Sequence, residues 1–285
     1  GLGVPDAALR PDAEGYEALW RWSVADVDRF WQSLWRYFDV IVHTPATRIR
    51  SGVPVEGGVG PGTCWFESAT LNYAEHSFRH ENSEHPALRF QSERGAAAGE
   101  APAEVAWDDL STAVAAIQGF LRSEGIGPGD RVAAYLPNVP QAVVAFLATA
   151  SLGAVWSCCS PDFGVRTVID RFVQIEPALL IVTDGYTYGG KPFDRTAEVA
   201  DLRASLPSVQ QTVFLPYLDL EAPTPPDAVR WGDALASHRT DEPPTFEPVP
   251  FDHPLWVLYS SGTTGKPKAI THSHGGALLE HLKYL

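Results

Sequence analysis

The chain has 285 residues and a mass of 31.0 kDa, with 45% hydrophobic and 20% charged side chains. That globular composition excludes collagen-like repeats, coiled coil and wholesale disorder. Its 21 Lys and Arg stand against 35 Asp and Glu, a formal charge of −14, which excludes holding nucleic acid or an anionic membrane through a general positive field. An anionic ligand must then be met by a local cluster of donors.

No apolar run reaches the length of a spanning helix, and the start of the chain is acidic and Trp-rich, so neither a membrane anchor nor a secretory signal is expected. The three cysteines, Cys64 and the vicinal pair Cys158 and Cys159, make no disulfide framework, and no Cys/His spacing resembles a zinc site. A cytoplasmic, reducing setting is expected. The chain opens at Gly1, contains no Met and stops at Leu285 inside a helical pattern, so a fragment of a longer protein is expected.

In chain order, Val24, Val27, Phe30, Trp31, Leu34, Trp35 and Phe38 recur at helical spacing and predict one helix with a buried stripe. This reads as a helix docked on a larger core, the alternative being an aromatic ligand platform. Residues 44–65, with Pro45, Pro54, Pro61 and several glycines, read as an extended connector. Ala87–Phe90 and Glu104–Trp107 predict short strands, and Asp108 caps a predicted helix ending near Glu124. Val132–Leu136 and Ala154–Ser157 predict strands flanking an Ala-rich helix, Gln141–Leu152. An amphipathic helix is expected over Val165–Ile175, with Asp162 as its cap. The apolar run Leu179–Thr183 suits a buried parallel strand, and Thr212–Leu215 continues the alternation. The Pro- and acid-rich stretch 216–254 reads as surface loop, before a last apolar run, Leu255–Tyr259. Strand–helix alternation predicts an α/β fold with layered, mostly parallel sheets. The expected division is a helical N-terminal extension over 1–65 and a larger α/β portion over 66–285.

The informative segment is Tyr259-Ser260-Ser261-Gly262-Thr263-Thr264-Gly265-Lys266-Pro267-Lys268. It follows a predicted strand and gathers hydroxyls, glycines and two lysines. Glycines let backbone N–H groups converge on an anion, hydroxyls donate further bonds and lysines add charge. The chain has four lysines in all, Lys191, Lys266, Lys268 and Lys283, so half of them fall in this loop. A polyphosphate is the ligand such a cluster suits. The segment is not a Walker A loop, because its glycine spacing is wrong and Pro267 follows Lys266. A nearer mimic, Gly185 to Lys191, ends in Pro192 and lacks the metal-binding hydroxyl.

This ten-residue run resembles the signature of the adenylate-forming superfamily, which includes acyl-CoA synthetases, firefly luciferase and nonribosomal adenylation domains. Ala269 departs from the glycine most members carry there. Pro267-Lys268-Ala269-Ile270 and His272-Ser273-His274-Gly275-Gly276 resemble the acetoacetyl-CoA synthetase branch. So do Leu34 to Val40, Leu71 to His76 and Ser160-Pro161-Asp162-Phe163-Gly164-Val165. The resemblance implies a two-step ligase. A carboxylate, acetoacetate in this branch, attacks the α-phosphorus of ATP and releases pyrophosphate, and the thiol of CoA then displaces AMP. It implies that Ser260, Ser261, Gly262, Thr263, Thr264, Gly265 and Lys266 hold the ATP phosphates alongside Mg²⁺. Lys268 is the catalytic candidate, as an electrostatic anchor. It further implies His272 as a candidate for the substrate side, and Pro161, Gly164 and Lys191 as candidates for contact with CoA. The alternatives are a ligase for another short acid, or an inactive or truncated homologue that only binds nucleotide or supports a partner.

Other groups have plainer readings. His272 and His274 lie two apart, on one face if the segment is a strand, but lack a third metal ligand nearby. Lys191 suits a solvated surface position equally well. Cys158 and Cys159 read as packed small residues and not as nucleophiles.

Overall fold

All five positions of Leu179–Thr183 are buried, which requires a strand covered on both faces. It lies inside a seven-stranded sheet built from β1 (Arg131–Tyr135), β2 (Val155–Cys159), β3 (Leu179–Thr183), β4 (Gln211–Leu215), β5 (Ala228–Arg230), β6 (Pro254–Ser260) and β7 (Lys268–Ser273). The strand order is β5-β4-β3-β1-β2-β6-β7. Every pairing from β5 across to β6 is parallel, with Val132 opposite both Trp156 and Leu179, and Trp156 opposite Trp256. The computed structural model describes residues 4–52, 60, 62–79, 84–260 and 265–284. They fall into two units, one of residues 77–247 and 254–272, the other of residues 1–76, 248–253 and 273–285.

In the sheet unit, period-two alternation sends Ala133, Tyr135, Leu180, Val182 and Phe214 to one face. There they meet Val168 and Phe172 of α3 (Val165–Phe172) and Val199 and Leu202 of α4 (Thr196–Ser205). Phe172 and Leu202 are fully buried, each contributing roughly 2–3 kcal/mol by removal from water. The two preceding helices pack on each other, α1 (Trp107–Ser123), which buries Leu110, Val114, Ile117 and Leu121, and α2 (Pro140–Ser151), whose proline sits in the first turn. The α/β class and mostly parallel sheet expected from the sequence are both present.

Several local expectations are corrected. The strand expected at Glu104–Trp107 is Ala103–Val105, and Trp107 already opens the next helix. That helix is preceded by Ala106 with no side-chain cap, so Asp108 does not cap it but lies in its first turn, where its charge suits the helix dipole. Asp162 does not cap α3 either, since Gly164 holds that position. The helix expected to reach Ile175 ends at Phe172. The stretch 216–254, expected as loop, contains β5 and the helix Trp231–Ser237, anchored by the buried Trp231. The run of 44–65, expected as connector, supplies Arg48–Ser51, which pairs antiparallel with Cys64–Glu67.

In the second unit a 3₁₀ turn, Asp6–Leu9, precedes two α-helices, Ala13–Ala25 and Val27–Tyr37, where the sequence predicts one helix. The break is Asp26, whose carboxylate accepts from the Arg29 N–H at 3.0 Å and so starts a new helix. Val24, expected in the buried stripe, is 54% exposed. Trp31 and Trp35 do pack inward, against a core of Val40, Phe66, Leu71, Phe251, Leu278 and Leu279. Trp35 stacks on Phe66 at 4.2 Å between centroids, and Phe66 meets Phe251 at 4.9 Å. The docked-helix reading therefore holds for these two tryptophans. No helix among the described residues is long and apolar enough to cross a membrane.

Phe251 also lies directly against the backbone of Gly275, in the helix His274–Tyr284, and a Cβ there would overlap its ring. Gly275→Ala is therefore expected to cost about 1–3 kcal/mol by overpacking, read as a lower urea midpoint. Gly232→Ala, where an added Cβ meets nothing within 4 Å, is expected to leave the midpoint unchanged or raise it. Equal midpoints for wild type and Gly275→Ala would contradict this packing.

Candidate functional site

Parallel strands release their chains at the same edge of a sheet, so the segments following β2, β3 and β6 share one edge. The signature loop leaves β6 there. Leu255 and Val257 are buried, and the Val257 carbonyl accepts from the Ser157 hydroxyl of β2 at 2.9 Å. The Tyr259 hydroxyl donates to the Arg171 carbonyl at 2.9 Å; burial pushes its pKa up to about 12 and keeps it a donor. Ser260 is the last residue of β6. Ser261, Gly262, Thr263 and Thr264 lie outside the described residues. Gly265 follows with φ +95°, a region that disfavours any side chain. Lys266 is exposed, Pro267 accepts at its carbonyl from the Gln174 side chain at 3.2 Å, and Lys268 opens β7, also exposed.

The two histidines separate. His272, on β7 and exposed, accepts at Nδ1 from the Trp256 indole N–H at 2.8 Å. The indole can only donate, so His272 carries its proton on Nε2 when neutral. His274 does not share that strand face, because β7 ends at Ser273 and His274 begins a helix. It is fully buried, its Nδ1 accepts from the Tyr73 N–H at 3.2 Å, and its Nε2 has no hydrogen-bond partner. Burial first, and the neighbouring His253 second, push its pKa down to about 3.

The turn after β2 is held by residues the sequence reading did not single out. Tyr135, at the end of β1 and fully buried, places its hydroxyl 2.9 Å from the carbonyls of both Pro161 and Phe163. Burial pushes this phenol up to about 12 as well. Arg195 donates from Nε to the Pro161 carbonyl at 2.8 Å, pairs with Glu198 at 2.7 Å and lies over the Tyr186 ring at 5.3 Å. Tyr186 belongs to a hairpin, Gly185–Tyr188 with Lys191–Asp194. Arg195 thus joins the Pro161 to Gly164 turn to the base of the hairpin that carries Lys191. Lys191 itself is exposed, opposite Tyr188 at the tip of that hairpin. Asp184, after β3, was also missed; its carboxylate accepts from the N–H groups of Tyr217, Leu218 and Asp219 at 2.6–2.9 Å and ties down the segment after β4. Carbonyl and N–H partners of this kind leave no pattern along a sequence.

Cys158 and Cys159 follow the packing reading. Burial pushes their thiols up to about 11 and about 12, away from the thiolate a nucleophile needs. All three cysteines are free thiols. Among the described residues no group of three or more His, Cys, Asp or Glu is placed to hold a metal ion.

A sequence profile described as AMP-binding enzyme matches residues 76–284, and one described as the acetyl-coenzyme A synthetase N-terminus matches residues 16–77. The chain belongs to the AMP-binding enzyme family. Among individual proteins it resembles the acetoacetyl-coenzyme A synthetase of Rhizobium meliloti (strain 1021), with 42% identity over 271 residues, 94% of this chain and 40% of that protein. It is 37% identical over 276 residues to the acetoacetyl-CoA synthetase of Macaca fascicularis, covering 95% of this chain and 40% of that one. The solved acetoacetyl-CoA synthetase from Streptomyces lividans superposes with a TM-score of 0.86 at 49% identity, over 94% of this chain and 40% of that structure. The chain therefore spans about 40% of the length of these relatives.

His274 sets a pH dependence. Its folded pKa is depressed below the roughly 6.5 of an unfolded histidine. The unfolded chain therefore takes up the proton first, and this stability is present above about pH 6.5 and lost as pH falls toward 3. Urea unfolding between pH 7 and 4.5 is expected to lose up to about 1.4 kcal/mol more per pH unit in wild type than in His274→Gln. Equal pH slopes for the two proteins would contradict it.

Proposed function

We propose that this chain is the N-terminal portion of an AMP-forming acid–thiol ligase that converts acetoacetate, ATP and CoA to acetoacetyl-CoA, AMP and pyrophosphate. The observation that carries the reading is the run Tyr259 to Lys268 at the carboxyl end of a parallel strand, in a chain 36–42% identical to proteins named acetoacetyl-CoA synthetase. In the first step a carboxylate oxygen of acetoacetate bonds to the α-phosphorus of ATP. The bond to the bridging oxygen breaks, and pyrophosphate leaves with that electron pair. In the second step the CoA sulfur, having lost its proton, attacks the acyl carbon and AMP departs.

Most of the work left to the protein is positioning and charge neutralisation. Ser260, Ser261, Thr263 and Thr264 offer hydroxyls, and Gly262 and Gly265 offer backbone N–H groups, to the β- and γ-phosphates. Lys266 adds charge at the rim. Lys268, at the foot of β7 after Pro267, meets the charge that grows on departing pyrophosphate. His272, fixed by the Trp256 indole, faces the acid as a proton-bearing Nε2 donor. The Pro161 to Gly164 turn admits the pantetheine arm, and Lys191 takes a CoA phosphate. Magnesium belongs to this reading as the ion ATP brings on its phosphates. The unpaired thiols of Cys64, Cys158 and Cys159 support a cytoplasmic setting.

The test uses the complete protein, with the downstream portion its relatives carry, in steady state with acetoacetate, acetate, propionate or butyrate. The expected result is AMP, pyrophosphate and acyl-CoA in equal amounts and the highest kcat/KM for acetoacetate. A preference for acetate would overturn the acid assigned and leave the ligase. No AMP with any of the four would overturn the ligase itself.

A further inference from the structure

The end of α3 touches both segments assigned above. The Arg171 guanidinium lies 4.5 Å from the ring centroid of Phe163, in the turn proposed to admit the thiol, and 5.8 Å from the ring of Tyr259, the residue before Ser260. The same residue's carbonyl accepts from the Tyr259 hydroxyl at 2.9 Å. One turn on, the Gln174 amide donates to the Asp170 carbonyl at 2.6 Å and to the Pro267 carbonyl at 3.2 Å, immediately before Lys268. The two arms of the signature loop and the thiol turn are thus fastened to two residues three apart, Arg171 and Gln174. These contacts differ in kind. The Tyr259 and Pro267 bonds fix backbone and ring on the phosphate side. The thiol side, whose carbonyls Tyr135 and Arg195 already hold, meets Arg171 through the ring of Phe163, which is 40% exposed.

A guanidinium is suited to this place because it is planar, stays charged and stacks on aromatic faces while its edges remain free for hydrogen bonds. Arg171 has no carboxylate partner among the described residues; its guanidinium meets two π-faces and, at 3.5 Å, the Thr167 carbonyl of its own helix. The anchoring below is firm. Phe172, the next residue, is fully buried in the sheet's core with Val168, which fixes the direction in which Arg171 leaves the helix.

We propose that Arg171 is a positioning residue that couples the phosphate loop to the thiol-entry turn, with Gln174 securing the far arm of the loop. Displacing the ring of Phe163 then moves Arg171, and through it Tyr259, so occupancy of one segment is felt at the other. The proposal rests on the reading of those segments given above and adds a link between them.

Two measurements test it. In the complete protein, Arg171→Ala is expected to raise KM for both ATP and CoA about tenfold each, the scale of a lost cation–π contact, with kcat changed less. Arg171→Lys, which keeps the cation, is expected to recover part of both. Phe163→Leu should raise KM for CoA and, by a smaller factor, KM for ATP, and in that background Arg171→Ala should no longer affect CoA while still affecting ATP. A variant that merely folds less well would lose active enzyme, and so kcat, and leave both KM values in place. Independent effects of Phe163→Leu and Arg171→Ala on CoA, or a change in only one KM in either single variant, would overturn the link. The second measurement is amide hydrogen exchange in the complete protein and does not depend on the ligase reading. Arg171→Ala is expected to speed exchange at Phe163 and Gly164 and at Ser260, and to leave β3 unchanged. Faster exchange in only one of the two segments would overturn the link even in a protein that forms no acyl-CoA, whereas absent activity with both segments affected would overturn only the functional reading.

Discussion

The parallel pairing of β6 against β2 is the constraint on which the site depends. Trp256 opposite Trp156, and the Ser157 hydroxyl on the Val257 carbonyl, set the register of a strand far along the chain from its neighbour. A parallel neighbour must end at the same edge, so the signature loop after Ser260 and the turn after Cys159 emerge side by side. Everything proposed for the chemistry follows from that adjacency. An antiparallel β6 would send the loop to the opposite edge, away from the Pro161 to Gly164 turn.

Around that edge the polar bonds of supporting side chains hold turns. Tyr135 and Arg195 fix Pro161, Asp184 fixes the segment after β4, and Arg171 with Gln174 fixes both arms of the loop. The candidate ligand-facing groups, Lys191, Lys266, Lys268 and His272, stay exposed. This division suits a site that must bind charged groups. A supporting residue gains from burial because its hydrogen bonds are complete, whereas a lysine that meets phosphate must keep its charge and reach. Under the proposed function it also accounts for a chain of charge −14 meeting polyphosphate, since two cations at one loop act over a few ångströms where the distant carboxylates are screened by salt.

Local patterns carried most of the fold. The all-apolar Leu179–Thr183 and the alternation around it were enough for the parallel α/β layer, because burial on both faces leaves no polar position to conceal it. Boundaries failed where two local rules competed. At Trp107 the strand's aromatic preference lost to the helix start, and at Asp26 a capping carboxylate cut a helix that hydrophobic spacing alone would continue. Segment 216–254 misled because prolines and acids mask one short helix that depends on a single buried tryptophan, Trp231. In the site, residues consecutive in sequence were legible as a motif. Tyr135, Arg171, Asp184 and Arg195 were not, since each acts on a backbone carbonyl or N–H or a ring brought near by the fold. His272 and His274 show the same limit, identical residues two apart that divide at the end of a strand into one exposed acceptor and one buried neutral ring.

The central claim is that the segment after β6 acts on the phosphates of ATP and that Lys268 meets the charge on pyrophosphate as it leaves. Acetoacetate-dependent exchange of labelled pyrophosphate into ATP, with CoA omitted, isolates that step. Measured in the complete protein beside the melting temperature, Lys268→Ala is predicted to lower exchange on the order of ten- to a thousandfold, the scale of losing one preorganised donor, with the melting temperature held. Unchanged exchange in Lys268→Ala would contradict the account.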